Sequence, residues 1–177
     1  MNNLIKLLEL GQSYWLDNLT RGKIKGGELK KRVAQQGLRG ITSNPSIFNK
    51  AITGGSDYDT QIKQLVNQKK GVHEIYEALT VKDVQDACDV LRPVFDASEG
   101  VDGFVSLEVS PYLAHDEEGT KIEARKLYAE VNRPNCLIKI PGTDEGIKAI
   151  EEVLYEGISI NITLLFSISS YEAVANA

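Results

Sequence analysis

Cys136-Leu137-Ile138-Lys139-Ile140-Pro141-Gly142-Thr143 sets one lysine inside an otherwise apolar run. Pro141 and Gly142 end that run, and Thr143-Asp144-Glu145 reads as a helix cap followed by acidic first-turn residues. Lys139 therefore lies near the carboxyl end of a strand that feeds a helix, where parallel α/β folds carry their chemistry. An isolated ammonium is costly in a low-dielectric interior, so such a lysine meets a carboxylate, snorkels to water or loses its proton. On this stretch alone two readings stand: an edge or snorkelling lysine, and a nucleophilic amine.

The rest of the chain repeats the strand-then-helix pattern. Met1 to Leu10 spaces its leucines as a short amphipathic helix, and Ser13 to Asn18 reads as a first strand. Arg21-Gly22 to Gly26-Gly27 reads as a loop, residues 28–36 as a helix stopped by Gly37, and Gly40 to Asn44 as a second strand ended by Pro45. Residues 46–97 read as several helices: Ser46 to Ala51, Ser56 to Gln68, Val72 to Leu79, and one opened by Thr80 with Asp83 imitating a capping box. Gly103 to Val109 reads as a third strand, Thr120 with Glu123 as the cap of a helix ending before Pro134, and residues 144–155 as a helix closed by Gly157. Ser159 to Leu165 is the fifth strand, and Ser167 starts a last helix. Alternation of this kind predicts a parallel sheet with right-handed crossovers.

Parity along those strands narrows the fold. Successive side chains alternate faces, and one parity carries Asp17, Thr42, Asn44, Ser106, Glu108, Lys139, Asn161 and Thr163. The opposite parity carries Val105, Leu107, Val109, Ile138, Ile140, Ile160, Ile162 and Leu164. A doubly wound sheet would press the polar face against helices and leave those groups to be satisfied in a packed interior. A closed (β/α) barrel encloses it instead, so the fold expected is α/β of the (β/α)8 TIM-barrel type. A lysine among two carboxylates, amides and hydroxyls suits Schiff-base chemistry on a hydroxylated carbonyl compound.

Composition bounds the alternatives. The chain has 177 residues, 42% hydrophobic and 25% charged, ordinary proportions for one soluble globular domain. No apolar run approaches a membrane span, and the start lacks the basic and apolar blocks of a signal peptide, so a cytoplasmic protein without membrane partners is expected. A net charge of -5 with no basic stripe argues against nucleic acid. Cys88 and Cys136 have no metal or disulfide spacing and read as small core residues; His73 and His115 stand alone, so no metal site is expected. Lys23-Ile24-Lys25 and Lys69-Lys70 read as solvated turns.

Four stretches resemble, in order, the strand motifs of transaldolases, class I aldolase-type barrel enzymes of the pentose phosphate pathway. They are Gly40 to Phe48, Val105 to Val109, Leu137 to Thr143 and Asn161 to Ser167; Val109 to Ala114 is most similar to the longer bacterial members. The resemblance implies a transferase that moves a dihydroxyacetone unit between sugar phosphates such as sedoheptulose 7-phosphate and fructose 6-phosphate, with no organic or metal cofactor. It implies that Lys139 forms the imine, that Glu108 relays protons through a water held by Thr163, and that Asp17 deprotonates the C4 hydroxyl. It also implies that Asn44 and Asn161 bind the dihydroxyacetone hydroxyls beside Thr42.

A full barrel of this type has eight strands, commonly in about 200 to 250 residues, whereas this chain supplies five. The family's phosphate-binding arginine and serine follow the fifth strand and have no counterpart here. Residues 1–177 are therefore expected to form the amino-terminal part of a single incomplete barrel with about five βα units, weak or inactive in isolation. Open sheet edges predict an oligomer or pairing with another chain. Two other readings accompany this one: a related fructose 6-phosphate-type lysine aldolase, and a non-catalytic partner protein that retains the motifs.

Overall fold

The computed structural model describes residues 2–177, which fall into two compact units divided between Val105 and Ser106. The first holds α1 (Asn3–Glu9), β1 (Tyr14–Leu16), α2 (Arg21–Lys25), α3 (Glu28–Gln36), β2 (Leu38–Thr42), α4 (Pro45–Thr53), α5 (Asp59–Asn67) and α6 (Val72–Ala97). Strand β3 (Phe104–Glu108) begins in the first unit and ends in the second, which continues with α7 (Glu117–Val131), β4 (Cys136–Pro141), α8 (Asp144–Tyr155), β5 (Ile160–Thr163) and α9 (Ile168–Asn176). The sheet order is β1-β2-β3-β4-β5, and the pairs β1–β2 and β4–β5 are parallel. A doubly wound sheet reverses its strand order at a switch point, whereas a (β/α) barrel adds each strand beside the last. The unreversed order is that of an incomplete TIM-barrel type with five βα units. No helix among the described residues is long and apolar enough to cross a membrane.

In the first unit Leu29, Leu38, Ile41, Leu79, Val84 and Leu91 are fully buried. Trp15 pairs with Gly40 across β1 and β2, and a Cβ on Gly40 would fall 2.2 Å from the indole Cε2, so the ring needs the bare backbone there. The predicted stop of α3 is met: Gly37 takes a φ of 71°, the left-handed value that glycine adopts at no steric cost. The expected helix of Met1 to Leu10 matches α1, with Met1 itself outside the described residues.

Three expectations for this unit are corrected. The loop expected over Arg21 to Gly27, with Lys23 to Lys25 as a solvated turn, contains α2, whose first residue is buried. The second strand begins at Leu38 and ends at Thr42, because Asn44 leaves the sheet to cap α4. Thr80 opens no helix: α6 runs unbroken for 26 residues through it. Thr80 instead donates its hydroxyl to the Glu77 carbonyl at 3.0 Å, and Asp83 is taken up by partners outside the helix. Burial of Leu79, Val84, Ala87, Cys88 and Leu91 on one face holds the helix together across these local cap signals.

In the second unit α7 starts earlier than expected. Asp116 caps it by accepting from the Gly119 N–H at 2.9 Å, while Thr120 donates to the Leu113 carbonyl and Glu123 accepts from the Ser110 N–H. The cap of α8 is as predicted: Thr143 accepts from Gly146 at 3.0 Å and donates its hydroxyl to the Ala114 carbonyl. A Cβ on Gly146 would sit 2.1 Å from the Pro141 carbonyl oxygen, so α8 begins in direct contact with the end of β4. Helices α7 and α8 are joined by Lys121 to Glu152 and by Arg125 to Glu152 and Glu156, while Lys121 also pairs with Glu117 and Glu118 of its own helix. Hydrogen bonds that Lys121 donates to Glu117, Glu152 and Glu118 hold its ammonium well above the usual lysine range.

The apolar parity is buried at Val105, Leu107, Val109, Ile138 and Ile140. It fades along β5, where Ile160 and Ile162 are half-buried, and fails at Leu164, which is 55% exposed. Leu164 has a φ of 63°, a left-handed turn that takes the chain out of the strand and breaks the alternation. Both cysteines are buried and in no disulfide, as expected of core residues.

Candidate active site

Alternation places Lys139 on the face opposite Ile138 and Ile140, which are completely buried. The Lys139 Nζ donates to Glu108 Oε2 at 3.1 Å, and the two side chains are only 11% and 16% exposed. The backbone sets up this meeting, because the Val109 N–H donates to the Lys139 carbonyl at 3.1 Å and brings the end of β3 beside the lysine. A carboxylate at this distance can stabilise the ammonium and, when the amine adds to a carbonyl, can receive and return a proton.

On the other side of the lysine, β5 runs in register with Asn161 opposite Lys139 and Thr163 opposite Pro141. Asn161 donates its Nδ2 to the Ser106 hydroxyl oxygen at 2.8 Å. Ser106 is fully buried, so the hydrogen bond orients the carboxamide from a rigid base. In the sequence Ser106 is only one polar member of the row; its task of orienting Asn161 emerges from a hydrogen bond between residues 55 apart. Thr163 is half-buried on the same parity.

In the first unit Asp17, directly after β1, accepts the Thr42 hydroxyl at 2.6 Å. Thr42 ends β2, so two neighbouring strand ends hold the carboxylate between them. Asn44 lies two residues further on and serves as the cap of α4, its Oδ1 accepting from the Ser46 N–H at 2.8 Å. All seven residues expected of a site thus lie on strands or within two residues of a strand's carboxyl end. The structure brings Lys139 to Glu108, Asn161 to the lysine's row, and Asp17 to Thr42.

Two ionisable groupings went unread in the sequence. His115, in the connection that follows β3, is paired at 3.1 Å with Glu145 in the first turn of α8. The Glu145 carboxyl is held below its usual range, first by its own backbone N–H at the start of α8 and then by His115. The second grouping, Arg21 with Asp83 and Tyr58, is buried. Among the described residues no three or more His, Cys, Asp or Glu side chains are grouped to hold a metal ion.

Residues 14–177 match the family model described as transaldolase/fructose-6-phosphate aldolase. The chain is 52% identical over 170 residues to "Transaldolase 2" of Nostoc punctiforme, covering 96% of this chain and 45% of that protein. It is 50% identical over 170 residues to "Transaldolase" of Trichodesmium erythraeum, with the same coverage of 96% and 45%. It is 48% identical over all 177 residues to "Transaldolase" of Thiobacillus denitrificans, covering 49% of that protein. The chain spans about half the length of these curated relatives. A family match over nearly every described residue, together with a lysine strand flanked by a carboxylate and an oriented carboxamide, assigns the chain to the transaldolase/fructose-6-phosphate aldolase family.

Proposed function

We propose that this chain carries the Schiff-base machinery of a transaldolase, transferring a dihydroxyacetone unit between sugar phosphates. The observation that carries the reading is the Lys139 amine 3.1 Å from Glu108, on a strand whose Cys136, Ile138, Ile140 and Pro141 are buried. In its neutral form the amine adds to the ketose C2 carbonyl, and Glu108, through a water held by Thr163, returns a proton to the departing hydroxyl as the carbinolamine loses water. Asp17 then takes the proton of the C4 hydroxyl. The C3–C4 bond breaks, its electron pair moves into the iminium, and an aldose phosphate leaves behind a three-carbon enamine on Lys139. Addition of that enamine to a second aldose phosphate and hydrolysis of the imine complete the transfer. Thr42, Asn44 and Asn161 bind the hydroxyls of the three-carbon unit and hold it in reach of these groups.

We read residues 1–177 as the amino-terminal part of one barrel, supported by the unreversed order of its five strands and by relatives about twice as long. Phosphorylated sugars as substrates imply a cytoplasmic location, and the strands at the ends of the sheet order offer edges for assembly into an oligomer. A second reading, release of free dihydroxyacetone as an aldolase, is favoured by the family description itself, which covers both activities. The names of the similar proteins favour transfer.

Borohydride added with fructose 6-phosphate tests the proposal. A three-carbon adduct mapped to Lys139 is expected; a folded sample with Lys139 unmodified refutes it. Supplying erythrose 4-phosphate separates the two activities: transfer gives a seven-carbon sugar phosphate, whereas an aldolase gives free dihydroxyacetone with or without the acceptor.

A further inference from the structure

Four residues beyond Asp17 the chain enters a buried polar constellation that the reaction scheme does not use. The Arg21 Nε donates to Asp83 Oδ1 at 2.7 Å and its Nη2 to the Leu79 carbonyl at 3.3 Å. Its guanidinium carbon lies 4.3 Å from the centre of the Tyr58 ring, within range of a cation–π attraction. The Tyr58 hydroxyl accepts from the Arg21 backbone N–H at 3.2 Å and donates to Asp83 Oδ2 at 2.7 Å. Arg21 is 5% exposed, Tyr58 1% and Asp83 0%, and Leu19 in the intervening connection is also buried. The first residue of α2, the residue before α5 and the middle of α6 are thus joined at one point.

Stability is a weak reason for building such a group. Two charges withdrawn from water gain little over apolar side chains of the same volume, and burial pushes the Asp83 carboxyl up in spite of both partners. Fixed geometry is what a fully partnered ionic group supplies and apolar side chains do not. The segment it fixes is short and carries a candidate base. We infer that the Arg21–Asp83–Tyr58 clasp is a positioning device for Asp17, setting the direction in which the connection between β1 and α2 presents that carboxylate to Thr42 and to substrate. The inference rests on the reading of Asp17 as the base for carbon–carbon cleavage.

The test replaces the charges together, Arg21→Met with Asp83→Leu, so that no unpaired buried charge remains. Two measurements are made on the full chain: the crystal structure of the double variant, and borohydride trapping in a single turnover with fructose 6-phosphate. The crystal structure is expected to show the Asp17 carboxylate out of hydrogen-bond reach of Thr42. Imine formation at Lys139, with Glu108 moving the protons, is expected to proceed at the parent rate, so the intact hexose phosphate adduct accumulates. The three-carbon adduct forms about 10- to 100-fold more slowly, the loss expected of a base displaced by about 1 Å. Asp17 still bonded to Thr42, or the three-carbon adduct formed at the parent rate, overturns the inference. If the parent chain gives no adduct, the Schiff-base reading fails, and the crystal structure alone decides the clasp. Should the double variant not fold, Tyr58→Phe keeps the charge pair and removes one tether. It is expected to slow the three-carbon adduct about threefold to tenfold, and no slowing overturns the inference.

Discussion

Replacing Glu108 by glutamine changes the proton chemistry beside Lys139 while leaving shape and reach nearly intact. The Glu108 side chain is 3.1 Å from the amine and 16% exposed, so an amide oxygen in the same place still accepts the amine's hydrogen bond. What disappears is a group able to take a proton from the attacking amine and return it to the leaving hydroxyl. Positioned general acid–base groups contribute about 10²- to 10⁴-fold, equivalent to about 3 to 5 kcal/mol on the barrier. The fold is expected to survive, because glutamine still accepts the hydrogen bond of the Lys139 amine and leaves it with a partner. Rapid-quench borohydride trapping with fructose 6-phosphate in single turnover reads the step directly. Adduct formation on Lys139 is expected to slow by at least about 100-fold with the concentration dependence for sugar little changed. A Glu108→Gln chain that forms the adduct within about threefold of the parent rate would refute the role given to Glu108 and leave the contact as a mere ion pair.

Two further outcomes follow from the packing and the charge network. Gly40→Ala drives a methyl into the Trp15 indole, where a Cβ would stand 2.2 Å from Cε2; overpacking of this sort costs about 1 to 3 kcal/mol. A lower urea midpoint and a shifted tryptophan emission maximum are expected, and an unchanged midpoint refutes the contact. Arg125 and Lys121 hold the Glu152 and Glu156 carboxyls below the usual 4.5. A folded-state value depressed in this way adds stability above the unfolded value, and that stability is lost as pH falls through the folded value. The melting temperature of Arg125→Met is therefore expected below the parent's at pH 7 and level with it once both carboxyls are protonated; a gap that persists in acid contradicts the linkage.

Strand β4 and its lysine were legible in the sequence because a period-two alternation with proline and glycine stops is a local signal, repeated at Glu108 and Asn161 on neighbouring strands. The same parity marked Asp17 and Thr42, which the structure joins. What escaped was tertiary. Helix α2 is five residues long with glycine in and after it, a composition that local propensity assigns to a loop. Thr80 and Asp83 imitate a helix start because a cap is a matter of which polar atoms are available, and here both are consumed elsewhere. The clasp was invisible because its members are 37 and 25 residues apart and no periodicity links them. Leu164 continued the apolar parity in the sequence, but its backbone turns left-handed and takes the side chain to solvent.

The cap at the start of α4 also fixes what Asn44 has left to offer. With Oδ1 committed to the Ser46 N–H, the carboxamide cannot rotate by half a turn without uncapping the helix, so the NH₂ is the part of it that the cap does not use. A ligand group meeting that NH₂ supplies lone pairs rather than a proton. Aspartate in the same place would cap α4 as well, yet would turn that donor into a negatively charged acceptor. Of two residues equally able to begin this helix, one welcomes an electron-rich oxygen and the other repels it.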